Sequence, residues 1–357
     1  MRRLLAGALL VVPLSFAAGA APARPVQPHT LVATRGKIFA FAQDGGWMGW
    51  IGGDARVRVR RLSTGRTTIV GKVDRPERAS TAVIAMARSR ALWAWDSGGN
   101  NVEETIATGA PGAKARGVDL LQGDLRGTGG GERFSGVAGD GATLAYGWVA
   151  ETCVNRPFGC DVPWTDPLVV TGGGVVLVGT SHGSPRAPAI AEVAPPAILG
   201  VGQGHLAVVP ARSPTPPGMF VPRVAEDGPV SVSDLGGRLK LSARLDGIIR
   251  DVALFRDQLV VLLEQPDGSR VIRRFDAESG EEFSRSRALP PGTVDVSAGS
   301  GGIVFRVGAG IYVLHGSAPK RVARAAGTPI GLSIEGRRIA WAENVSGHGR
   351  IRAVTLP

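Results

Sequence analysis

The chain is poor in most of the residues that announce a chemistry. Of its 357 residues only two are cysteine, five are histidine and two are tyrosine, and aromatic residues make up 5%. The histidines, His29, His182, His205, His315 and His348, stand far apart, and none falls in HExxH or another metal-ligand spacing. This excludes a recognisable metal motif, and no metal or other cofactor is expected. The run GTGGG at Gly127 to Gly131 lacks the Lys-Ser/Thr end of a phosphate-binding loop and reads as a plain loop. Lysine is scarce as well: of 41 basic residues, only Lys37, Lys72, Lys114, Lys240 and Lys320 are lysines. The formal net charge of +11 is therefore carried by arginines scattered in ones and twos. Such scatter does not make the concentrated basic face that a nucleic-acid partner requires, so the excess charge points at most to weak adhesion to an anionic envelope.

Long hydrophobic runs are also missing after the first residues. Arg2 and Arg3 precede an apolar run from Leu4 to Phe16, followed by Ala18-Gly19-Ala20. The run is short of the ~20 residues a membrane-spanning helix needs, and small residues at that spacing suit signal peptidase. The expectation is a signal peptide over 1–20, cleaved near Ala20, a flexible segment over 21–29, and a secreted or periplasmic protein without a membrane span. The paired arginines stand directly behind Met1, and no Ser or Thr leads them, so they give only a weak twin-arginine signal.

What is abundant is glycine, 52 residues, and proline, 25, spread along the whole length. Stretches of helical period are scarce, whereas short alternating runs rich in Val and Ile recur, the pattern of many strands joined by tight turns. One unit repeats: an apolar strand, a turn holding Gly, Asp or a charge, and a second strand. Copies begin at Phe41, Ala85, Val137, Leu199, Ala253, Ser297 and Leu332. Their aligned positions, Met48, Leu92, Leu144, Leu206, Leu259, Ile303 and Ile339, lie about 36 to 62 residues apart, against about 40 to 50 for a propeller blade. A second hairpin follows most copies, at Val57, Pro167, Val230, Arg270 and Ile311. Two hairpins make a four-stranded blade. The last unit lacks one strand, supplying only Ile351 to Leu356 after its hairpin, while Thr30 to Gly36 is a spare strand at the other end. The expected fold is all-β: a single β-propeller over 30–357, with about seven four-stranded blades and a ring closed by the N-terminal strand.

The turns in GDGATLAYGW at Gly139 to Trp148, QDGGWMGWI at Gln43 to Ile51 and IEGRRIAWA at Ile334 to Ala342 resemble the Asp-Gly-x-x-apolar-Ala-aromatic core of TolB-type propeller repeats. The paired Gly-His and Trp-Asp signature of a WD repeat does not occur within any one unit, so the likeness is nearer the TolB-like side of the WD-repeat-like superfamily. It implies an exported interaction scaffold or a propeller attached to an enzyme. A TolB N-terminal domain is not expected ahead of the repeats.

The connections between the second and third strands of a blade share one face, and two of them are long. The first, Val149 to Asp166, holds Cys153, Arg156, Phe158, Cys160, Asp161, Trp164 and Asp166. Cys153 and Cys160 flank Pro157 and Gly159, whose tight reversal favours a disulfide in an exported protein. Closing so short a loop contributes about 2 to 3 kcal/mol in the chain-entropy model. The second, Pro210 to Gly228, holds Arg212, Met219, Phe220 and Arg223. Loops of this composition on a rigid frame suit binding. The sequence therefore reads as a monomeric, non-catalytic scaffold for a protein or envelope polysaccharide, its binding residues Arg156, Phe158, Asp161, Trp164, Asp166, Phe220 and Arg223. The alternative is a propeller enzyme, a glycan-directed hydrolase or lyase, since two carboxylates at the correct distance suffice for glycoside cleavage. Most turn carboxylates are expected to cap their own turns.

Overall fold

Alternating short strands are what this composition dictates, and strands are what the computed structural model contains. It describes residues 27–74, 81–96, 101–124, 131–153, 168–179, 194–212, 224 and 227–357. Among these there is no helix. The chain opens with β1 (His29–Ala33). The first full sheet is β2 (Ile38–Asp44), β3 (Trp47–Gly52), β4 (Arg56–Arg61) and β5 (Thr67–Lys72). Next come β6 (Ala82–Ala87), β7 (Arg90–Asp96), β8 (Asn101–Gly109) and β9 (Arg116–Asp124), then β10 (Gly131–Asp140), β11 (Thr143–Cys153) and β12 (Leu168–Leu177). Among the described residues these two groups join into one seven-stranded sheet through one paired position, Gly123 opposite Gly131.

Three four-stranded sheets follow. They are β13 (Pro196–Gly202), β14 (His205–Pro210), β15 (Pro229–Asp234) and β16 (Leu239–Arg244); β17 (Ile248–Phe255), β18 (Gln258–Glu264), β19 (Arg270–Asp276) and β20 (Glu282–Arg285); and β21 (Thr293–Gly299), β22 (Gly302–Val307), β23 (Gly310–His315) and β24 (Ala318–Arg324). The last sheet holds β25 (Ile330–Glu335), β26 (Arg338–Val345) and β27 (His348–Thr355), and its fourth strand is β1, antiparallel to β27 with His29 opposite Ala353 and Ala33 opposite Arg350.

Every repeat position read from the sequence falls on the second strand of a group. Met48, Leu144, Leu206, Leu259, Ile303 and Ile339 sit one residue into β3, β11, β14, β18, β22 and β26, and Leu92 two residues into β7, all at 4% exposure or less. These strands are apolar on both faces because each sheet is covered by a neighbour on either side, so the polar face of an ordinary antiparallel strand is lost. Apolar clusters fill the junctions between successive sheets. One unites Ala207, Val230 and Val232 with Ile249, Leu259 and Val261. Another unites Ile38, Phe41 and Trp50 of the first sheet with Ala340, Ile351 and Ala353 of the last.

Two local readings are corrected. The segment from Pro167 was expected to be a hairpin, but Leu168–Leu177 is one continuous strand paired along β11, with Gly172 and Gly173 opposite Ala150 and Val149 beside a register shift. The extra residue is absorbed as a bulge rather than a turn. Nor does the first long connection start at Val149, because β11 runs on to Cys153.

Candidate functional site

The innermost strands β2, β6, β10, β13, β17, β21 and β25 converge on one funnel of about 790 Å³. Its mouth is framed by the turns joining each of them to its partner. These are two-residue turns, with Asp44 opposite Trp47, Asp140 opposite Thr143 and Glu335 opposite Arg338. Their first residue has positive φ at Gly45 (53°), Arg88 (51°), Gly141 (56°), Gln203 (38°), Arg256 (55°) and Gly336 (58°), the mirror-image turn that matches the twist of paired strands.

Three of the strands end in a carboxylate at the same repeat position. Asp44, Asp140 and Glu335 stand four residues before Met48, Leu144 and Ile339. The Asp44 side chain crosses to two other hairpins: its Oδ2 accepts the Arg88 N–H (2.5 Å) and the Gly141 N–H (3.1 Å). Asp140 Oδ2 accepts the Gln203 N–H at 2.8 Å, and the Glu335 carboxylate lies beside the Gly45 backbone. Gln43 adds a link to the last sheet, donating to the carbonyls of Ser333 (3.1 Å) and Arg338 (3.3 Å) and accepting from Arg338 Nε (3.0 Å). Further round, Asp251 Oδ1 accepts its neighbour Val252 N–H (2.9 Å) while Oδ2 accepts the Val296 N–H (2.7 Å).

Burial sets the electrostatics. It pushes Asp44 up from the ordinary carboxylate value, opposed by the Arg88 and Gly141 amides and reinforced by Asp140. Glu335 is raised for the same first reason, with Asp44 and Asp140 adding like charge. Asp251 is pushed up to about 7 by burial. The expectation that turn carboxylates serve their own turns holds at Asp234 and Asp276, which accept amides two to four residues on. It fails at Asp44, Asp140 and Glu335, because a two-residue turn leaves their own amides in the ladder and aims the side chains at the next hairpin.

Among the described histidines, His29, His205, His315 and His348, none lines the funnel; His205 begins β14 and His315 ends β23. Among the described residues no group of three or more His, Cys, Asp or Glu is placed to hold a metal ion. The seven binding residues read from the sequence, together with Cys160, lie outside the described residues. The strand ends that carry their loops are described: Cys153 opposite Leu168, and Pro210 opposite Pro196 with Ala211 bridged to Val224. Both lie at the ends of β11 and β14 away from the funnel mouth.

No protein-family model matches the chain, and no curated protein matches it in sequence. Solved structures do. A chain of the Mitotic Checkpoint Complex aligns with 98% of this chain and 100% of its own length at 12% identity and a TM-score of 0.51. The computationally designed Ika8 protein aligns over 92% of this chain and 99% of that one (12% identity, TM-score 0.49). The WD40 β-propeller domain of Doa1 aligns over 91% and 96% (10% identity, TM-score 0.48). The fold is a β-propeller. Four-stranded antiparallel sheets set side by side, their first strands lining one funnel, are the geometry that defines that architecture.

Proposed function

We propose that the protein is an exported, non-catalytic propeller of seven blades that holds a protein or an envelope polysaccharide on the face opposite the funnel mouth. The seven repeat units, the β1–β27 pairing and the apolar cluster between the first and last sheets support the blade count and a closed ring. The TolB-type turns support placement among exported interaction scaffolds. The carrying observation is that the two long connections leave adjacent sheets on the same face. β13 packs against β10, β11 and β12, and the strands feeding the connections, β11 and β14, both end away from the funnel. A Cys153–Cys160 disulfide braces the first connection, and Phe158, Trp164, Phe220 and Arg223 supply the aromatic and arginine anchors typical of binding hot spots. The test replaces those four residues with alanine, confirms an unchanged unfolding midpoint, and measures capture of envelope proteins and polysaccharides. Loss of capture supports this face, and an identified partner held as tightly by the quadruple variant as by the parent refutes it.

One observation favours the second reading, a glycan-directed hydrolase or lyase. Asp44 and Glu335, both raised by burial, share the funnel with Asp140, and an upward shift is the direction that suits the general acid of a carboxylate pair. Against it, Asp44 and Asp140 are occupied by backbone amides. Glycan turnover lost in Glu335→Gln establishes the enzyme, and binding without turnover favours the scaffold.

A further inference from the structure

Beside the funnel mouth, between the β17–β20 and β21–β24 sheets, lies a second cleft of about 250 Å³. Phe255, Arg256, Gly299 and Ser300 border both cavities. The cleft is lined by two arginines, Arg256 and Arg274, by Gln258, and by no carboxylate. Several arginines of the same two sheets are, by contrast, paired with carboxylates. Arg250 and Arg270 share Glu264, Arg273 and Arg285 share Glu282, and Arg306 is held by Asp295.

Arg256 and Arg274 rest instead on aromatic rings. The Arg274 guanidinium carbon is 4.7 Å from the centre of the Phe283 ring, and that of Arg256 is 5.2 Å from the centre of Phe255. A ring beneath a guanidinium holds its position without neutralising its charge, and it leaves the edge N–H groups free to donate. Arg274 Nε is buried and has no hydrogen-bond partner. Burial alone moves the Arg274 pKa, downward, with no acidic group offsetting it. A buried guanidinium N–H without an acceptor is costly and calls for an explanation.

We propose that this cleft is an oxyanion site that takes a phosphoryl group between Arg256 and Arg274. Each guanidinium offers about five N–H donors. A carboxylate, with two oxygens, is satisfied by one such fork, whereas a tetrahedral phosphoryl group has oxygens enough for both. The cleft has room for that group with a small organic substituent, and the Gln258 amide lies within it for a further oxygen or hydroxyl. This site is separate from the long-connection face and stands or falls without it.

The test is calorimetric titration of the full chain with inorganic phosphate and with glycerol phosphate, at constant ionic strength set with sodium chloride, alongside acetate. Saturable binding of one phosphate per chain, with acetate much weaker, is the expected result. Arg256→Gly suits the positive φ of that turn and leaves the unfolding midpoint in chloride unchanged, yet should weaken phosphate at least about tenfold. Arg274→Gln should do the same, and if it unfolds the protein, Arg256→Gly alone decides. Retention on phosphatidylglycerol vesicles, competed off by glycerol phosphate, assigns the group to a lipid headgroup; binding in solution without retention assigns it to a soluble ester. No saturable binding, acetate binding as tight as phosphate, or equal phosphate affinity in Arg256→Gly overturns the proposal.

Discussion

Replacing Asp44 with alanine removes the single oxygen that accepts amides from two other hairpins. The side chain is 6% exposed, and both donors, Arg88 N–H and Gly141 N–H, meet Oδ2. An amide left without an acceptor costs about 1 to 3 kcal/mol. Two are orphaned here, but the turns border an open funnel and removing a carboxylate whose ionised form is disfavoured by burial returns part of the loss. The expected cost is about 2 to 3 kcal/mol. Asparagine behaves differently, since its one carbonyl oxygen has two lone pairs and can accept both amides, so Asp44→Asn should stay within about 1 kcal/mol of wild type. The pH dependence separates them further. Asp44 has a folded pKa raised above its unfolded value, so the folded chain holds the proton longer. That contribution to stability is full below the ordinary aspartate value and is lost as pH rises through the raised one. Asp44→Asn lacks it and should gain on wild type across that window. The assay is urea unfolding at several pH values, read as a change in midpoint at constant slope. Equal costs for Ala and Asn, or a wild-type difference that does not move with pH, would refute the reasoning.

Gly331, at φ 62°, would place an added Cβ 1.9 Å from the Phe41 carbonyl, where the last sheet meets the first. Gly331→Ala should therefore destabilise by more than about 3 kcal/mol. Gly141→Ala, at φ 56° with nothing within 4 Å of its Cβ, should show only the left-handed strain of about 1 to 2 kcal/mol. Thermal and chemical unfolding of the pair checks this, and similar losses would mean that the β2–β25 contact is not tight. Asp251 uses both oxygens on two amides, so Asp251→Asn turns its NH2 toward one of them and destabilises at acid pH. Because the folded Asp251 pKa lies near 7, wild type loses this contribution as pH rises from about 4 to about 7. The gap between the two proteins should narrow over that range in unfolding experiments, and a constant gap would sink the assignment.

The local construction of this protein was legible because it depends on neighbours in the chain. A two-residue turn between alternating apolar strands is specified by residues within a few positions of one another. The repeat unit alone therefore located the buried positions from Met48 to Ile339, the spare strand at Thr30 and the hairpins, except the one expected from Pro167. The candidate surface was legible only as two long connections, whose binding residues lie outside the described part. The offset of the turn carboxylates was also visible, four residues before each aligned apolar position. What those carboxylates bind was not, since Asp44 meets Arg88 and Gly141 across 44 and 97 residues. Only the convergence of the inner strands brings those hairpins within hydrogen-bonding distance. Arg256 and Arg274 likewise look like their neighbours in sequence; strand pairing within the β17–β20 sheet sets Glu264 beside Arg250 and Arg270, Glu282 beside Arg273 and Phe283 beside Arg274, while Phe255 under Arg256 is its neighbour in the chain. Strand and turn follow from local alternation and backbone geometry. The amide partners of Asp44 follow from which sheet faces which, and that is decided only when the sheets pack side by side around the funnel.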